Sequence, residues 1–200
     1  MTKNKIYFAS DFHLGIPTLK DSHKREKHIV SWLNQIEKDA KSIYLVGDIF
    51  DFWFEYKKVI PKGFVRLLGK LAELTDNGIE VHLFVGNHDL WMQDYLEKEV
   101  GVKIYHNNIT IREGGKEILI GHGDGLGKGD YFYKFLKKVF TSRICQWAFA
   151  RIHPNLSFSL AHAWSKASRK NNGGTNIINK KEEVLYSYCK RKQSINPIDY

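Results

Sequence analysis

The sequence predicts an α/β fold, a sandwich of sheets flanked by helices, with a helical insert late in the chain. Three observations carry that expectation. Short apolar runs alternate with amphipathic stretches through the first hundred residues, a rhythm that favours parallel strands joined by right-handed crossovers. Four of the apolar runs end in polar clusters: Asp11-Phe12-His13, Gly47-Asp48, Gly86-Asn87-His88-Asp89 and Gly121-His122-Gly123-Asp124. Between Lys128 and Lys192 fourteen Lys/Arg stand against three Asp/Glu, so the whole positive balance of a chain with net charge +9 belongs to that segment.

The elements follow in order. Ile6-Tyr7-Phe8-Ala9 reads as a first strand. The stretch from Ser22 to Ala40 carries Ile29, Val30, Leu33 and Ile36 on one stripe and reads as a helix. Ile43 to Val46 is a second strand. Phe64, Leu67, Leu68, Leu71, Leu74 and Thr75 repeat the helical pattern, which Asn77-Gly78 ends with a pair tolerant of left-handed backbone. Val81 to Val85 is a third strand, and a short helix from about Trp91 to Glu99 stops at Gly101. Ile109 to Glu113 and Lys116 to Ile120, joined by Gly114-Gly115, form a hairpin.

From Asp130 to about Lys170 the chain reads as two or three helices, broken at His153-Pro154 and dense in Tyr, Phe and Trp. One reading is core-facing aromatics with a solvated basic face. The other, favoured because the charge surplus is confined here, is a cap over the site that offers apolar surface to an acyl chain and charge to an anionic membrane.

Composition sets limits. Two hundred residues suit one domain, 1–200, with the insert at about 130–170, and 42% apolar with 26% charged is ordinary for a globular chain. No apolar run approaches the ~20 residues that span a bilayer. Met-Thr-Lys-Asn-Lys leads straight into a strand without the apolar core of a signal peptide, so a cytoplasmic chain is expected. Cys145 and Cys189 lack CxxC spacing and are expected to be thiols.

The polar clusters carry the chemistry. Ligands of open α/β sheets bind outside the carboxyl ends of the strands, so clusters far apart in sequence can converge there. Asp, His and Asn suit Mn²⁺, Fe²⁺ or Zn²⁺. Asp11 and His13, two apart on extended backbone, point the same way and can share one ion. Asp48 can bridge two ions, with Asn87 and His122 serving the second. Two metals ~3.5–4 Å apart activate a water for in-line attack on phosphorus. His88 is placed to give a proton or hydrogen bond to the phosphate or leaving oxygen, with Asp51 to orient it. Asp89 and Asp124 are expected behind the ligands, Asp124 as a partner of His122. His23, His28, His82, His106, His153 and His162 read as satisfied or solvated histidines.

The motif series Asp-x-His, Gly-Asp, Gly-Asn-His-Asp and Gly-His-Gly-Asp resembles that of the calcineurin-like metallophosphoesterases. The longer forms, Gly-Asp-Ile-Phe-Asp-Phe-Trp at 47–53 and His-Gly-Asp-Gly-Leu-Gly-Lys-Gly-Asp at 122–130 followed by Tyr131, are similar to those of the UDP-2,3-diacylglucosamine hydrolases of lipid A synthesis, which also carry a helical insert. The resemblance covers essentially the whole chain. It implies a metallophosphoesterase-type β-sandwich, two Mn²⁺, and cleavage of UDP-2,3-diacylglucosamine at the α-phosphorus to UMP and 2,3-diacylglucosamine 1-phosphate. It also implies peripheral attachment to the cytoplasmic face of the inner membrane of a Gram-negative bacterium. The implied partners are the UDP-linked diacylated glucosamine lipid and an anionic membrane surface, with no nucleic acid expected. By motif position Asp130, Ser168, Arg169 and Asn172 resemble substrate-contacting residues. Some members have Arg in place of His88. The family pattern closes with an apolar strand and Gly-His-x-His, one histidine for each metal. A chain ending at Tyr200 without that motif is expected to be a shortened form or to lack two ligands. The competing functions are a metallophosphoesterase acting on another phosphodiester (nuclease or phosphatase) and a non-catalytic nucleotide-lipid binding module.

Overall fold

In the computed structural model, which describes residues 3–16, 18–124 and 131–171, four parallel strands lie side by side in chain order. They are β1 (Lys5–Ala9), β2 (Ala40–Val46), β3 (Glu80–Phe84) and β4 (Lys103–Tyr105), joined by α1 (Leu19–Ile36), α2 (Val65–Asp76) and α3 (Tyr95–Val100). A hairpin of β5 (Ile109–Glu113) and β6 (Lys116–Ile120) follows, its Gly114 and Gly115 both at positive φ. The mixed α/β architecture with a parallel sheet is the one expected. The chain divides into two compact units, residues 1–122 and 123–200.

Strand order explains how the first unit is covered. When every right-handed crossover steps the same way, successive helices fall on one face of the sheet. Ile29, Leu33 and Ile36 of α1, Leu67, Leu71 and Leu74 of α2, and Leu96 and Val100 of α3 share one core with Ile43, Leu45, Val81 and Leu83 of the central strands. The alternate strand residues form a second core on the other face, where Tyr44 and Phe84 pack with Ile120 of the hairpin.

Element ends shift for identifiable reasons. α1 starts at Leu19, ahead of the expected Ser22, because the Thr18 hydroxyl accepts from the Asp21 amide at 3.1 Å. It ends at Ile36, and Ala40 begins β2, fully buried. The third helix was expected from Trp91 but starts at Tyr95. Trp91 instead bridges Phe54, their rings 5.1 Å apart, while both Asp94 and Tyr95 donate their amides to Glu55 Oε2. β4 is only three residues long, too short for its pattern to stand out in the sequence. α2 has no side-chain cap of its own, since Phe64 sits at its start with φ 59. Glu26 of α1, 1% exposed, accepts instead from the Arg66 and Leu67 amides at 2.9 and 3.1 Å.

The second unit shows α4 (Tyr131–Phe140), α5 (Arg143–Phe149) and α6 (Pro154–Asn171). The expected two or three short helices are three, the last of them 18 residues long. Large apolar side chains on all three are solvent-exposed, among them Tyr131, Phe135, Ile144, Trp147, Leu156 and Leu160. Among the described residues no helix is long and apolar enough to cross a membrane.

Candidate metal centre

Each polar cluster leaves the carboxyl end of its strand, and the loops are tied together by main chain. The Asp11 amide donates to Gly47 O, His13 to Asp48 O and Leu14 to Ile49 O, all at 2.9–3.1 Å. The backbone there is unusual. Asp11, His13 and Asp48 have φ of 58, 44 and 52, a left-handed region that costs about 1–3 kcal/mol for such residues and concentrates at functional sites. Two glycines make room. A Cβ on Gly47 would lie 2.5 Å from His122 Nδ1, and one on Gly86 would lie 2.1 Å from Asp48 Oδ1. Gly86 is therefore required by the close approach of Asp48, without any demand from its own φ.

The five residues expected as ligands come together. Asp48 Oδ2 stands 3.8 Å from His13 Nε2 and 3.4 Å from His122 Nε2. Asp11 Oδ1 is 3.7 Å from the same His13 nitrogen, and Asn87 Oδ1 is 3.2 Å from His122 Nε2. Separations of 3.2–3.8 Å between donor atoms suit ligands about 2.0–2.2 Å from a shared ion. Asp48 occupies the middle of the array: its Oδ1 accepts from the His88 amide at 2.9 Å, and its Oδ2 faces both imidazoles.

Electrostatics favour the ligating forms. Burial lowers the pKa of His13 despite the nearby Asp48, keeping the ring neutral. Burial pushes Asp48 up, but its hydrogen bond and charge interaction with His122, joined by the His88 amide, hold it below the ordinary carboxylate range. The buried His13 Nδ1 has no hydrogen-bond partner and faces Asp51 Oδ1 at 3.9 Å. Carboxylate, amide oxygen and neutral imidazole at this spacing fit a hard or borderline divalent ion.

Asp51, 2% exposed, lies between two imidazoles, 3.4 Å from His88 Nδ1 and 3.9 Å from His13 Nδ1. The two rings meet edge to face with centroids 4.8 Å apart. Asp11, His13 and Asp48 form one cluster of possible donors and His13, Asp51 and His88 another. Asp51 thus faces Nδ1 of both rings, and its carbonyl lies within hydrogen-bond distance of His88 Nδ1, at 3.3 Å. His122 Nδ1 lies 2.9 Å from Val46 O, a backbone partner that no side-chain pattern reveals. Asp124 receives Lys137 Nζ at 2.6 Å. Asp89 is fully buried, accepting at Oδ2 from Ile49 and Phe50 and at Oδ1 from Gly86, so it joins the loop of Asp48 to the loop of Asn87. Burial and the charge of Asp48 raise its pKa to about 7. Asp130 and Asn172 lie outside the described residues. Ser168 and Arg169 fall within the span of α6, with side chains outside what the structure describes.

Carboxylate, amide and imidazole side chains thus gather where β1, β2, β3 and β6 end, a donor set that suits divalent metal ions. The chain belongs to the calcineurin-like phosphoesterase family, whose model matches residues 4–174. It is 41% identical over 169 residues to the UDP-2,3-diacylglucosamine hydrolase of Porphyromonas gingivalis, a match covering 84% of this chain and 64% of that protein. It is 30% identical over 145 residues to the enzyme of that name from Vibrio vulnificus, covering 72% of this chain and 58% of the relative. The chain thus spans about three-fifths of the length of these relatives. A protein of unknown function from Aquifex aeolicus is similar in structure at a TM-score of 0.43, with 21% identity over 70% of this chain and 74% of that one.

Proposed function

We propose that this chain carries the metal centre of a hydrolase that cleaves the pyrophosphate of UDP-2,3-diacylglucosamine to UMP and 2,3-diacylglucosamine 1-phosphate, with two Mn²⁺ as cofactors. The observation that carries the reading is Asp48 Oδ2 standing within 4 Å of the Nε2 atoms of both His13 and His122, an arrangement suited to a carboxylate shared by two ions. Asp11 and His13 would hold one ion, Asn87 and His122 the other. Bound divalent ions would lower the pKa of water and draw charge from the phosphoryl oxygens. The protein's own part is positional. Asp48 is buried and hydrogen-bonded by the His88 amide, so its carboxylate cannot swing away. The Asp51 carboxylate and carbonyl, at 3.4 and 3.3 Å from His88 Nδ1, orient that ring to donate to the phosphate or leaving oxygen. The identity of the substrate is supported by the names of the relatives. Exposed aromatic and basic side chains on α4 to α6 further support acyl-chain and anionic-membrane contact, with Arg151 stacked 3.8 Å over Trp147.

The test is release of UMP from UDP-2,3-diacylglucosamine by the purified chain in Mn²⁺, beside DNA and a soluble phosphomonoester. UMP release without DNA cleavage is expected; DNA cleavage alone would make the protein a nuclease. Metal binding without turnover of any substrate would leave a binding module. Asp48→Ala should abolish uptake of both ions, and retention of two tightly bound Mn²⁺ would overturn the bridging role. His88→Ala should keep the metals while lowering the maximal rate by roughly 10²–10⁴; equal loss of metal and rate would make His88 structural.

A further inference from the structure

The loop that holds Asp11 and His13 is gripped from outside the sheet. Arg25, on the second turn of α1, directs Nη1 at three carbonyl oxygens: Phe12 at 3.1 Å, His13 at 2.9 Å and Ile16 at 3.2 Å. One turn earlier Ser22, 3% exposed, accepts the Gly15 amide at 2.8 Å. The other side of the loop is bonded through its amides to Gly47, Asp48 and Ile49. Those amide bonds, with positive φ at Asp11 and His13, leave the carbonyls converging on one point. Converging carbonyl dipoles repel one another unless a cation meets them, and arginine supplies a charge that is never titrated away.

We propose that Arg25 is a positioning residue of the metal centre, holding Asp11 and His13 in their left-handed conformations so that this ligand pair is formed before any ion arrives. It neither ligates nor touches a reacting atom. The proposal rests on the metal reading under Proposed function. The neighbouring residue separates positioning from general support of the fold. Glu26 leaves the same helix turn toward α2, where it caps the Arg66 and Leu67 amides.

The experiment compares wild type, Arg25→Met, Arg25→Lys and Glu26→Met. Amide hydrogen exchange is followed in EDTA, and Mn²⁺ affinity by electron paramagnetic resonance of the free ion. Arg25→Met should speed exchange of the His13 and Leu14 amides while sparing the start of α2, and weaken Mn²⁺ binding by about 10–100-fold. Arg25→Lys, which keeps the charge, should recover part of both. Glu26→Met, which removes the acceptor, should speed exchange at Arg66 and Leu67 with wild-type Mn²⁺ affinity. If Arg25→Met does not fold, Arg25→Gln takes its place. The proposal is overturned by wild-type exchange and affinity in the arginine variant, by the same exchange pattern in both variants, or by no recovery with lysine. A wild type that takes up no Mn²⁺ would sink the metal reading; the exchange pattern in EDTA would still decide the clamp.

Discussion

The two units break the usual rule of burial in opposite directions. In residues 1–122 acidic side chains are inside: Asp89 and Glu26 are at most 1% exposed, and Asp48 and Asp51 at most 3%. On α4 to α6 large apolar side chains are outside, with Ile144 81% and Trp147 60% exposed. Exposed leucines are common and buried acids are rare, so a buried polar group or a contiguous apolar surface is the informative exception. In the first unit each buried acid is accounted for by backbone amides or imidazoles, which ties its cost to the geometry of the loops. In the second unit the apolar side chains have no such account, and a lipid is the partner we propose for them.

Breaking the buried side should have the largest effect. Asp89→Ala leaves the Ile49, Phe50 and Gly86 amides buried without acceptors. At about 1–3 kcal/mol for each unsatisfied group, a loss of at least about 3 kcal/mol is expected in denaturant unfolding. A loss below about 1 kcal/mol would mean that these amides find water. Next comes Glu55→Ala, which frees the start of α3 and the Trp53 indole, 3.0 Å from Glu55 Oε1. About 1–3 kcal/mol is expected, read by the same unfolding curve with tryptophan fluorescence. The smallest effect belongs to the exposed side. Ile144→Ser should change stability by less than about 0.5 kcal/mol while reducing binding to vesicles of anionic lipid with UDP-2,3-diacylglucosamine. A stability loss above about 1 kcal/mol with unchanged vesicle binding would make Ile144 a packing residue and remove the contrast between the units.

What the sequence made legible was local. Strand ends, helix stripes and the Gly114-Gly115 turn are written within a few residues, and so were the polar clusters at the strand ends. The convergence of Asp11, His13, Asp48 and Asn87 followed from one general property of open sheets, whereas His122 arrives from the antiparallel hairpin. What escaped was long-range or made of backbone. Glu26 caps a helix that begins about forty residues later, and Glu55 does the same for α3, whereas a sequence signature for capping reaches only a few positions. Trp91 belongs to a helical-looking stretch, yet its packing against Phe54 overrides that preference. The Val46 carbonyl behind His122 and the carbonyls under Arg25 leave no trace in residue type.

The sequential order β1-β2-β3-β4 has a consequence for how the centre comes into being. If folding proceeds from the N-terminus, each new strand adds to the edge of the last and brings its own donors with it. Asp11, Asp48 and Asn87 can be in place while the far face of the sheet is still bare. His122 differs, because it follows β6, whose Ile120 packs against Tyr44 and Phe84. We therefore expect the second half of the proposed centre to close when the second core does. In refolding, tight capture of the second ion should coincide with the burial of Tyr44. Capture that ran ahead of that burial would show that the donors assemble without the core.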